Sequence, residues 1–541
     1  SRSRLESCAR CAVTVTSMTQ SEGREPPAGA ARKRRELGRK RRELETFRMA
    51  NVAAGVATVA LTGIAALPYA LRALVRKRMP AATGPHAVGS CVQRDSTGLV
   101  VRVFYPLEDC AGEPESAWLP APQSLYIGAI GAFLNLPSAV AGWLLAPGLR
   151  AVRGAWAEQS QPGALPAGDE LLPVVCFSHG LGAFQNAYSL LCCELASRGV
   201  VVVVPEHADR SACATTYPDD GSPLFCERSS PARMVNPSTG EHDGGFSWRN
   251  GQIHERVKQV FGALGWLLES ASDTGHVWHG RLDTKNVVMA GHSFGGATAV
   301  AACAAAPPHS GGPASIPARL GFTGFRCGVV LDGWLFPVVG DGAEVDTRQI
   351  DRSFGHTDFG TDSSTRQPAA EATPLLFLDA ASFLGDQRWW EAKEELVNRS
   401  NGSQGHGSSA LLNLSYSVHH SFSDVLIVGE QAMGLIKKLQ RDNRRNLKRG
   451  GVADEKAGAP PGRALTVPSA EDLHAEVVQL MLQFISSHTF SAESAEDESA
   501  GGAAKWAQHL SQRNDGAWLI LAAGDKLGMV ANYSASTAAK I

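Results

Sequence analysis

The sequence predicts an α/β fold with a mostly parallel sheet that is covered by helices on both faces. Runs such as Leu172–Phe177 and Val201–His207 are continuously apolar rather than alternating, which is typical of strands buried on both sides. Helical stretches separate these runs, and strands that alternate with helices indicate parallel pairing. At 541 residues, 44% of them hydrophobic, the chain is long enough to bury a large core.

The predicted elements follow one another in the order that such a sheet requires. A hairpin around the turn Asp95 to Gly98 comes first. The predicted buried strands are Leu172–Phe177, Val201–His207, Asn286–Ala290, Cys327–Asp332, Pro374–Asp379 and Leu411–Val418. The predicted helices are residues 186–199, Arg249–Ser270, residues 296–306 and Ser469–Ser487, the last with Ser469 as its N-cap.

Composition divides the chain into four regions. Residues 1–48 are polar and rich in arginine, and we expect them to be disordered. Residues 49–78 form a hydrophobic targeting or anchor segment, residues 84–490 the folded domain, and residues 491–541 a low-complexity acidic tail. Four segments of the folded domain, rich in Gly, Pro, Ser or charge, are predicted surface insertions: residues 307–323, 339–372, 399–409 and 441–467.

The segment 49–71 bears on localisation. It holds 23 residues without a charge, enough to span a bilayer, and basic residues flank it at both ends. A signal peptide, a signal anchor and an organelle-targeting segment all fit this pattern, and a helical segment of a soluble, cytoplasmic protein is the alternative. We expect a membrane-associated, secretory or organellar route. The net charge of −2 gives no general attraction to nucleic acid.

One motif carries chemistry on its own. The stretch Gly291-His292-Ser293-Phe294-Gly295 matches G-x-S-x-G, in which a serine on a tight strand-to-helix turn exposes its Oγ. A predicted strand precedes the motif and a predicted helix follows it, as the motif requires. We therefore predict that Ser293 is the nucleophile of an acyl-transfer reaction; a glycine-rich turn without chemistry is the alternative.

A serine nucleophile needs a histidine base that is oriented by a carboxylate, in the chain order Ser, acid, His for an α/β-hydrolase. Of the downstream histidines, only His419 and His420 follow a late strand and precede a helical stretch, and spacing does not separate the two. Asp332 and Asp379 each end a predicted strand, and the usual layout favours Asp379. The residues alone thus leave two acids and two bases.

Two backbone N–H groups are candidates for the oxyanion hole. The residue after the nucleophile, Phe294, supplies one of them in this motif. The second is expected from a turn after an early strand, and FSHGLGAF at residues 177–184 runs from a strand into a glycine turn. Leu181 N–H is the candidate there, whereas His179 is predicted to be a structural histidine of the turn.

Six blocks of sequence, in the expected order, resemble one family. They are FSHGLGAF, EHADRSACAT, WRNGQIHERV, GHSFGGAT, FRCGVVLDGWLFP and SVHHSFSD. Together they are similar to the plasma and type II intracellular platelet-activating factor acetylhydrolases, which are phospholipases of the α/β-hydrolase fold. The resemblance covers residues 84–490 and leaves the N-terminus and the tail unmatched.

The resemblance implies roles for individual residues. It places the nucleophile on Ser293, the acid on Asp332, the base on His419 and the backbone donors of the oxyanion hole on Leu181 and Phe294. It further implies calcium-independent release of short or oxidised sn-2 acyl chains from phospholipids, with no metal or organic cofactor. The insertions on either side of the Asp332 block depart from the family.

The resemblance also implies a lipid surface as a partner. The family's lipid-facing helix falls on AVAGWLLAPGLRAV at residues 139–152, where Trp143, Leu144 and Leu145 are the residues expected to enter a lipid surface. An ordinary core helix is the alternative. The leading hypothesis is therefore a serine esterase for short-chain or oxidised phospholipids. The alternatives are a general carboxylesterase or lipase, and a catalytically silent hydrolase fold that serves as a membrane-tethered binding module.

Overall fold

The computed structural model describes most of the predicted folded domain. The described residues are 66–70, 72–73, 75, 78–305 except 110–114 and 169, 313–340, 347, 350, 354, 373–380, 387–401, 409–429 except 415–416, 469–489 and 518–523. The predicted disordered segment 1–48, most of the run 49–71, most of the insertion 339–372 and the segment 441–467 lie outside these residues.

A large mixed sheet, parallel in its centre, forms the middle layer of the fold. In spatial order its described strands are β13-β12-β11-β10-β9-β5-β6-β2-β1-β4-β3, and β7 and β8 form a separate pair. The strands are β1 Ala87–Arg94, β2 Val100–Leu107, β3 Glu115–Ala117, β4 Arg153–Gln159, β5 Leu172–Ser178, β6 Val201–Pro205, β7 Ala214–Thr216, β8 Pro223–Phe225, β9 Leu282–His292, β10 Cys327–Leu331, β11 Leu375–Ala380, β12 Ala410–Leu414 and β13 Trp518–Ala523. From β12 to β6 all neighbouring strands are parallel, whereas β2 and β13 pair antiparallel with β6 and β12.

Helices cover both faces of this sheet. The described helices are α1 Gln123–Phe133, α2 Ser138–Leu149, α3 Ser189–Ala196, α4 Phe246–Ser272, α5 Phe294–Ala304, α6 Ile316–Arg319, α7 Phe336–Val339, α8 Gln387–Asn401, α9 Val425–Val428 and α10 Ala470–Thr489. The predicted cap of α10 is present, because Ser469 Oγ accepts a hydrogen bond from Asp472 N at 3.1 Å while the Asp472 carboxylate accepts one from Ser469 N.

Alternate residues of each central strand enter two different hydrophobic cores. In β5, Val175 and Phe177 pack in one core together with α3 and α10, while Val174 and Cys176 pack in the other together with α4 and α5. Successive side chains of a strand point to opposite faces, so a strand covered on both faces must be apolar at every position. This confirms the mostly parallel, doubly covered α/β sheet that the continuous valine and leucine runs predict.

Several element boundaries differ by a few residues from the sequence expectation, and two of the differences concern the strand before His419 and the predicted insertion 307–323. The predicted strand Leu411–Val418 ends at Leu414, because Ser417 Oγ donates to the Leu414 carbonyl and a short 3₁₀ helix follows at His419–Phe422. The predicted insertion 307–323 also differs from a purely exposed loop in its described part. Phe322 is 4% exposed and packs edge-on against Phe325.

Helices α1 and α2 are the apolar pair of the domain. No single helix among the described residues is long and apolar enough to cross a bilayer. Taken together, α1 and α2 reach the required length and apolarity, but the chain bends by 114° between them. Trp143 is 43% exposed on α2, whereas Leu144 and Leu145 are partly buried, so the helix has both a core face and a solvent face.

Candidate active site

Ser293 and Asp332 leave the same edge of the sheet. Ser293 follows the last residue of β9 and Asp332 follows the last residue of β10, and these two strands are parallel neighbours. Because parallel neighbours end at the same edge, the two side chains are brought close although 39 positions of sequence separate them. Backbone hydrogen bonds join the two turns, from Ser293 N to the Leu331 carbonyl at 3.0 Å and from Trp334 N to the Ser293 carbonyl at 3.0 Å.

The turn at Ser293 is strained and tightly packed. Its φ of 58° costs a residue with a side chain roughly 1–3 kcal/mol. A Cβ on Gly291 would lie 2.1 Å from the Gly295 carbonyl oxygen, and a Cβ on Gly295 would lie 2.0 Å from the Ser178 carbonyl oxygen. Only glycine fits at both positions, so the two glycines of the motif allow β9, α5 and the end of β5 to touch. The sharp turn then presents Ser293 Oγ at the edge of the sheet.

His419 lies between the serine and the carboxylate. Its Nε2 is 2.9 Å from Ser293 Oγ and its Nδ1 is 2.6 Å from Asp332 Oδ2. With the proton assigned to Nδ1, the imidazole donates to Asp332 and accepts from the serine hydroxyl. The second oxygen of Asp332, which is fully buried, accepts a hydrogen bond from Ala380 N at 2.9 Å. The three groups are therefore arranged for transfer of a proton from the hydroxyl to the imidazole.

The segment that carries His419 is fixed from both sides. Ahead of it, Val418 N donates to Ser421 Oγ at 2.9 Å, which starts the 3₁₀ turn. Behind it, the buried carboxylate of Asp424 accepts hydrogen bonds from Trp118 Nε1 and from Ser189 N, each at 2.9 Å. This carboxylate lies at the N-terminus of α3, where the helix dipole favours negative charge. The candidate base His419 is thus anchored to the core rather than carried on a free loop.

The geometry separates the two acids and the two histidines that the spacing leaves open. Asp379, which the usual layout favours, does not bond to His419. Its Oδ2 instead accepts a hydrogen bond at 2.6 Å from Nζ of Lys393, a residue of α8. Burial raises the pKa of Asp379 to about 6. The histidine bonded to Ser293 is His419, and the ring of His420 meets that of His419 edge-on at a centroid distance of 5.5 Å. The structure therefore brings together Ser293, Asp332 and His419.

The two candidate oxyanion donors lie on separate segments. Leu181 is in the turn after β5 and Phe294 is the first residue of α5, where backbone N–H groups have no partner within the helix. On either side of Leu181 the amides are used, since Gly180 N donates to Tyr188 Oη at 3.1 Å and Gly182 N donates to the Ser211 carbonyl at 2.7 Å. Among the described groups, neither Leu181 N nor Phe294 N has an acceptor. Both are available to a developing oxyanion.

A chain of buried hydrogen bonds behind the site is invisible in the sequence. Tyr188 Oη accepts from Gly180 N and lies 2.8 Å from Nδ1 of His292, whose Nε2 lies 2.9 Å from the His419 carbonyl. With Nε2 carrying the proton, His292 donates to the backbone of the candidate base. Burial, and next the neighbouring His419, lower the pKa of His292 to about 3. His292, the residue that the motif leaves unspecified, thus connects the turn of Leu181 to the candidate base His419.

Three side chains of this region also meet the distance requirement of a metal site. Candidate ligand atoms of His292, Asp332 and His419 lie within 4.8 Å of one another. Both ring nitrogens of His292 already take part in hydrogen bonds, and so do both ring nitrogens of His419. A hydrogen-bonded imidazole between a hydroxyl and a carboxylate is the arrangement that proton transfer requires.

The family model described as "Platelet-activating factor acetylhydrolase, isoform II" matches residues 72–350, more than half of the chain. The chain belongs to this family. The matched residues include Ser293 and Asp332, as well as both candidate oxyanion donors. His419 lies beyond them, so its assignment depends on the geometry and on the local sequence.

Individual relatives agree with the family. The platelet-activating factor acetylhydrolase of Gallus gallus is 28% identical over 391 residues, which cover 67% of this chain and 78% of that protein. The platelet-activating factor acetylhydrolase of Bos taurus is 29% identical over 294 residues, which cover 50% of this chain and 58% of that protein. A putative phospholipase A2 of Schizosaccharomyces pombe is 29% identical over 309 residues, which cover 49% of this chain and 66% of that protein.

His292 makes the stability of the folded domain depend on pH. The folded state keeps this imidazole neutral down to about pH 3, whereas an unfolded histidine binds a proton near pH 6.5. The unfolded state therefore binds the extra proton between these values, and the unfolding free energy falls by about 1.4 kcal/mol per pH unit as the pH is lowered through that window. We expect His292→Asn to reduce the dependence of the unfolding free energy on pH by about 1.4 kcal/mol per pH unit, which corresponds to one bound proton. The unfolding free energy is measured by urea unfolding between pH 7 and pH 4.5.

The control is His242→Asn, at a histidine that is exposed on the surface. Other buried histidines remain in both variants and contribute equally to the pH dependence of the unfolding free energy. The contribution of His292 is therefore the difference between the two variants in that dependence. A slope for His292→Asn equal to that of the unmodified protein would contradict the assignment of a neutral, buried His292.

Proposed function

We propose that this chain hydrolyses the sn-2 ester of platelet-activating factor-like and short-chain or oxidised phospholipids by a serine mechanism that needs no calcium. The observation that carries the proposal is the position of His419, with Ser293 Oγ 2.9 Å from one ring nitrogen and Asp332 2.6 Å from the other. Membership of an acetylhydrolase family and the phospholipase name of one relative support a phospholipid ester as the substrate class.

Acylation begins with the serine. Ser293 Oγ attacks the carbonyl carbon of the sn-2 ester while His419 Nε2 takes the hydroxyl proton, and Asp332 stabilises the imidazolium that forms. The carbonyl oxygen becomes an oxyanion, which accepts hydrogen bonds from Leu181 N and Phe294 N. The loss of one such donor typically costs about 10²–10³ in kcat. The tetrahedral intermediate then collapses as His419 returns its proton to the leaving alkoxide of the lyso-phospholipid.

Deacylation uses the same groups with water in place of the lipid. His419 takes a proton from water, the hydroxide attacks the acyl-serine ester, and the oxyanion again forms between the two backbone donors. Collapse of this second intermediate returns the proton to Ser293 Oγ and releases a short carboxylic acid. Each proton passes through one imidazole, so no metal-bound water is required by these steps.

A substrate panel tests the proposal. The purified protein is offered phosphatidylcholines with acetyl, short oxidised or long unmodified sn-2 chains, and an aryl acetate, all in excess chelator. We expect hydrolysis of the acetyl and oxidised lipids, because a short chain leaves the ester within reach of Ser293. Ser293→Ala should lower each rate by about 10⁴-fold or more. The released carboxylic acid is measured by titration, and the lyso-lipid is measured by mass spectrometry.

The outcomes of the panel separate the competing functions. Activity confined to the aryl acetate would favour a general carboxylesterase, and activity on all chain lengths a lipase. The absence of turnover on every substrate would favour the silent binding module. Restoration of activity only on addition of calcium would overturn the calcium-independent mechanism.

A pair of aspartate variants tests the acid. Asp332→Asn should lower kcat by about 10⁴-fold, because the amide no longer holds the imidazole in the required tautomer. Asp379→Asn should change kcat by less than about tenfold, because its carboxylate is bonded to Lys393 and not to the base. Rates are referred to the concentration of folded protein. A larger loss for Asp379→Asn than for Asp332→Asn would show that the acid is misassigned.

We also propose that the α1–α2 pair contacts the lipid surface that supplies the substrate. The tip of α1 borders the site, since a Cβ on Gly182 would lie 2.7 Å from the ring of Phe133. Phe133 and Leu134 at this tip are 47% and 57% exposed, and Val140 and Trp143 of α2 are 39% and 43% exposed. Exposed apolar side chains beside the turn of Leu181 favour docking on a lipid surface from which the phospholipid reaches Ser293.

Trp143→Ala tests this contact. We expect kcat/KM on substrate presented in vesicles to fall about tenfold, in line with the loss of part of a tryptophan's transfer free energy. The rate on a monomeric short-chain lipid should remain unchanged. The control is Leu171→Ala, since Leu171 is 49% exposed and precedes β5 at the end of the strand away from Ser293. Equal effects of Trp143→Ala on vesicles and monomers would argue against lipid docking through α2.

A further inference from the structure

The two candidate oxyanion donors need a common support because they lie on different segments. Leu181 follows β5 and Phe294 starts α5, and neither N–H is fixed by a hydrogen bond of its own. Hydrogen bonds weaken steeply with distance and angle, so the spacing of the two donors must be set by their surroundings. One side chain from a third element, Arg256 of α4, contacts both segments.

Arg256 bonds directly to the segment that leads to Leu181. Its Nη1 donates to the His179 carbonyl at 2.6 Å and lies 3.3 Å from Ser178 Oγ. Its Nε donates to Ser211 Oγ at 2.9 Å, and the Ser211 carbonyl in turn accepts from Gly182 N at 2.7 Å. Residues 179 and 182, on the two sides of Leu181, are therefore held by Arg256 and by its partner Ser211.

Arg256 also supports the second donor. The carbon of its guanidinium lies 4.6 Å from the centroid of the Phe294 ring, which is completely buried. A cation is attracted electrostatically to the face of an aromatic ring, and more strongly where both groups are shielded from water. Nη2 of Arg256 has no hydrogen-bond acceptor among the described groups. The guanidinium thus bonds to one donor segment and lies over the side chain of the other.

The cost of burying Arg256 argues that its role is not stability alone. Its side chain is 0% exposed, and the carboxylate of Asp209, 3.2 Å from Nε, is 1% exposed. Pairing in the interior offsets only part of the desolvation penalty, and an apolar side chain of similar size is often as stable or more stable. An apolar residue, however, would leave the His179 carbonyl and the Ser211 hydroxyl without their donors. What Arg256 provides, and an apolar residue does not, is a fixed position of the His179 carbonyl and of the Ser211 hydroxyl.

We propose that Arg256 is a positioning residue that sets the spacing of the Leu181 and Phe294 N–H groups and so completes the oxyanion hole. This inference rests on the proposed acyl-transfer function, because the donors matter only when an oxyanion forms. Arg256 does not touch the substrate; it acts through the backbone of residues 179–182 and through the ring of Phe294.

The chain offers a matched control for Arg256. Arg102 of β2 is 3% exposed, bonds to Glu158 at 2.9 Å and lies over two aromatic rings, those of Phe104 and Trp156 at 5.8 and 5.7 Å. Its strand is three places away from β9 in the sheet. Arg102→Lys therefore perturbs a similar buried cation without reaching the donors. Arg256→Lys keeps the charge but cannot bond to the His179 carbonyl, Ser211 and Asp209 with the same fork.

The decisive readout compares an oxoester with its thionoester, in which sulfur replaces the carbonyl oxygen. Sulfur is larger and a weaker acceptor, so a well-formed oxyanion hole favours the oxoester. In Arg256→Lys we expect kcat on the oxoester to fall about 10–100-fold, with KM within about threefold, and the oxo-to-thiono ratio of kcat/KM to fall about tenfold. Ser211→Ala should shift the ratio in the same direction by less. Arg102→Lys should leave the ratio unchanged.

Hydrogen exchange of the backbone amides tests the geometry without turnover. In Arg256→Lys the peptide that covers residues 178–184 should exchange roughly five- to tenfold faster, as expected for the loss of about one hydrogen bond. In Arg102→Lys its exchange should be unchanged. An unaltered ratio or unaltered exchange in a folded Arg256→Lys protein would overturn the positioning role. If the unmodified protein hydrolyses no ester, the proposed function fails, while the exchange measurement still decides whether Arg256 holds the turn.

Discussion

The contact between the Ser293 turn and the carboxyl end of β5 is the constraint on which the rest of the site depends. At this point the backbone of Gly295 touches the Ser178 carbonyl, with no room for a methyl group between them. Ser178 leads into the turn of Leu181, and Ser293 N is bonded to the Leu331 carbonyl, which precedes the carboxylate of Asp332. One close approach of three strands and a helix thus brings together groups from three separate parts of the chain, as parallel strands that end at one edge allow.

Much of this architecture is predictable because it depends on local patterns. Continuous valine and leucine runs identify the central strands, since only a doubly covered strand is apolar at every position. Ser293 is predictable because its turn needs glycines at fixed positions. The candidate acid is not, because Asp332 and Asp379 both end a predicted strand; they differ in their partners, since Asp332 bonds to His419 and Asp379 to Lys393 of α8. A partner that is close only in the folded structure cannot be recognised from the spacing of residues in the sequence. The end of β12 at Leu414 is likewise not predictable, because it depends on a hydrogen bond from the Ser417 side chain to the Leu414 carbonyl.

Buried polar groups hold the candidate site in place from beneath. His292 joins the turn of the oxyanion donor to the backbone of His419 through Tyr188, and the buried Arg256 joins the same turn to α4. Neither residue is expected in an interior chosen for stability alone, because a buried imidazole or guanidinium loses its hydration. Directional bonds to backbone carbonyls are what these groups provide and apolar residues do not. The precision of the site therefore originates in side chains that no substrate reaches.

The left-handed turns at Ser293 and Asp332, with φ of 58° and 43°, have a consequence for sequence drift in this family. A glycine at position 293 would adopt the same turn without strain, so random change filtered only for folding would favour its appearance there. A serine at such a turn instead lowers the stability margin of the domain, which is only about 5–15 kcal/mol for a typical fold. If selection for the proposed ester turnover were lost, glycine would therefore be favoured at position 293, with the surrounding sheet intact.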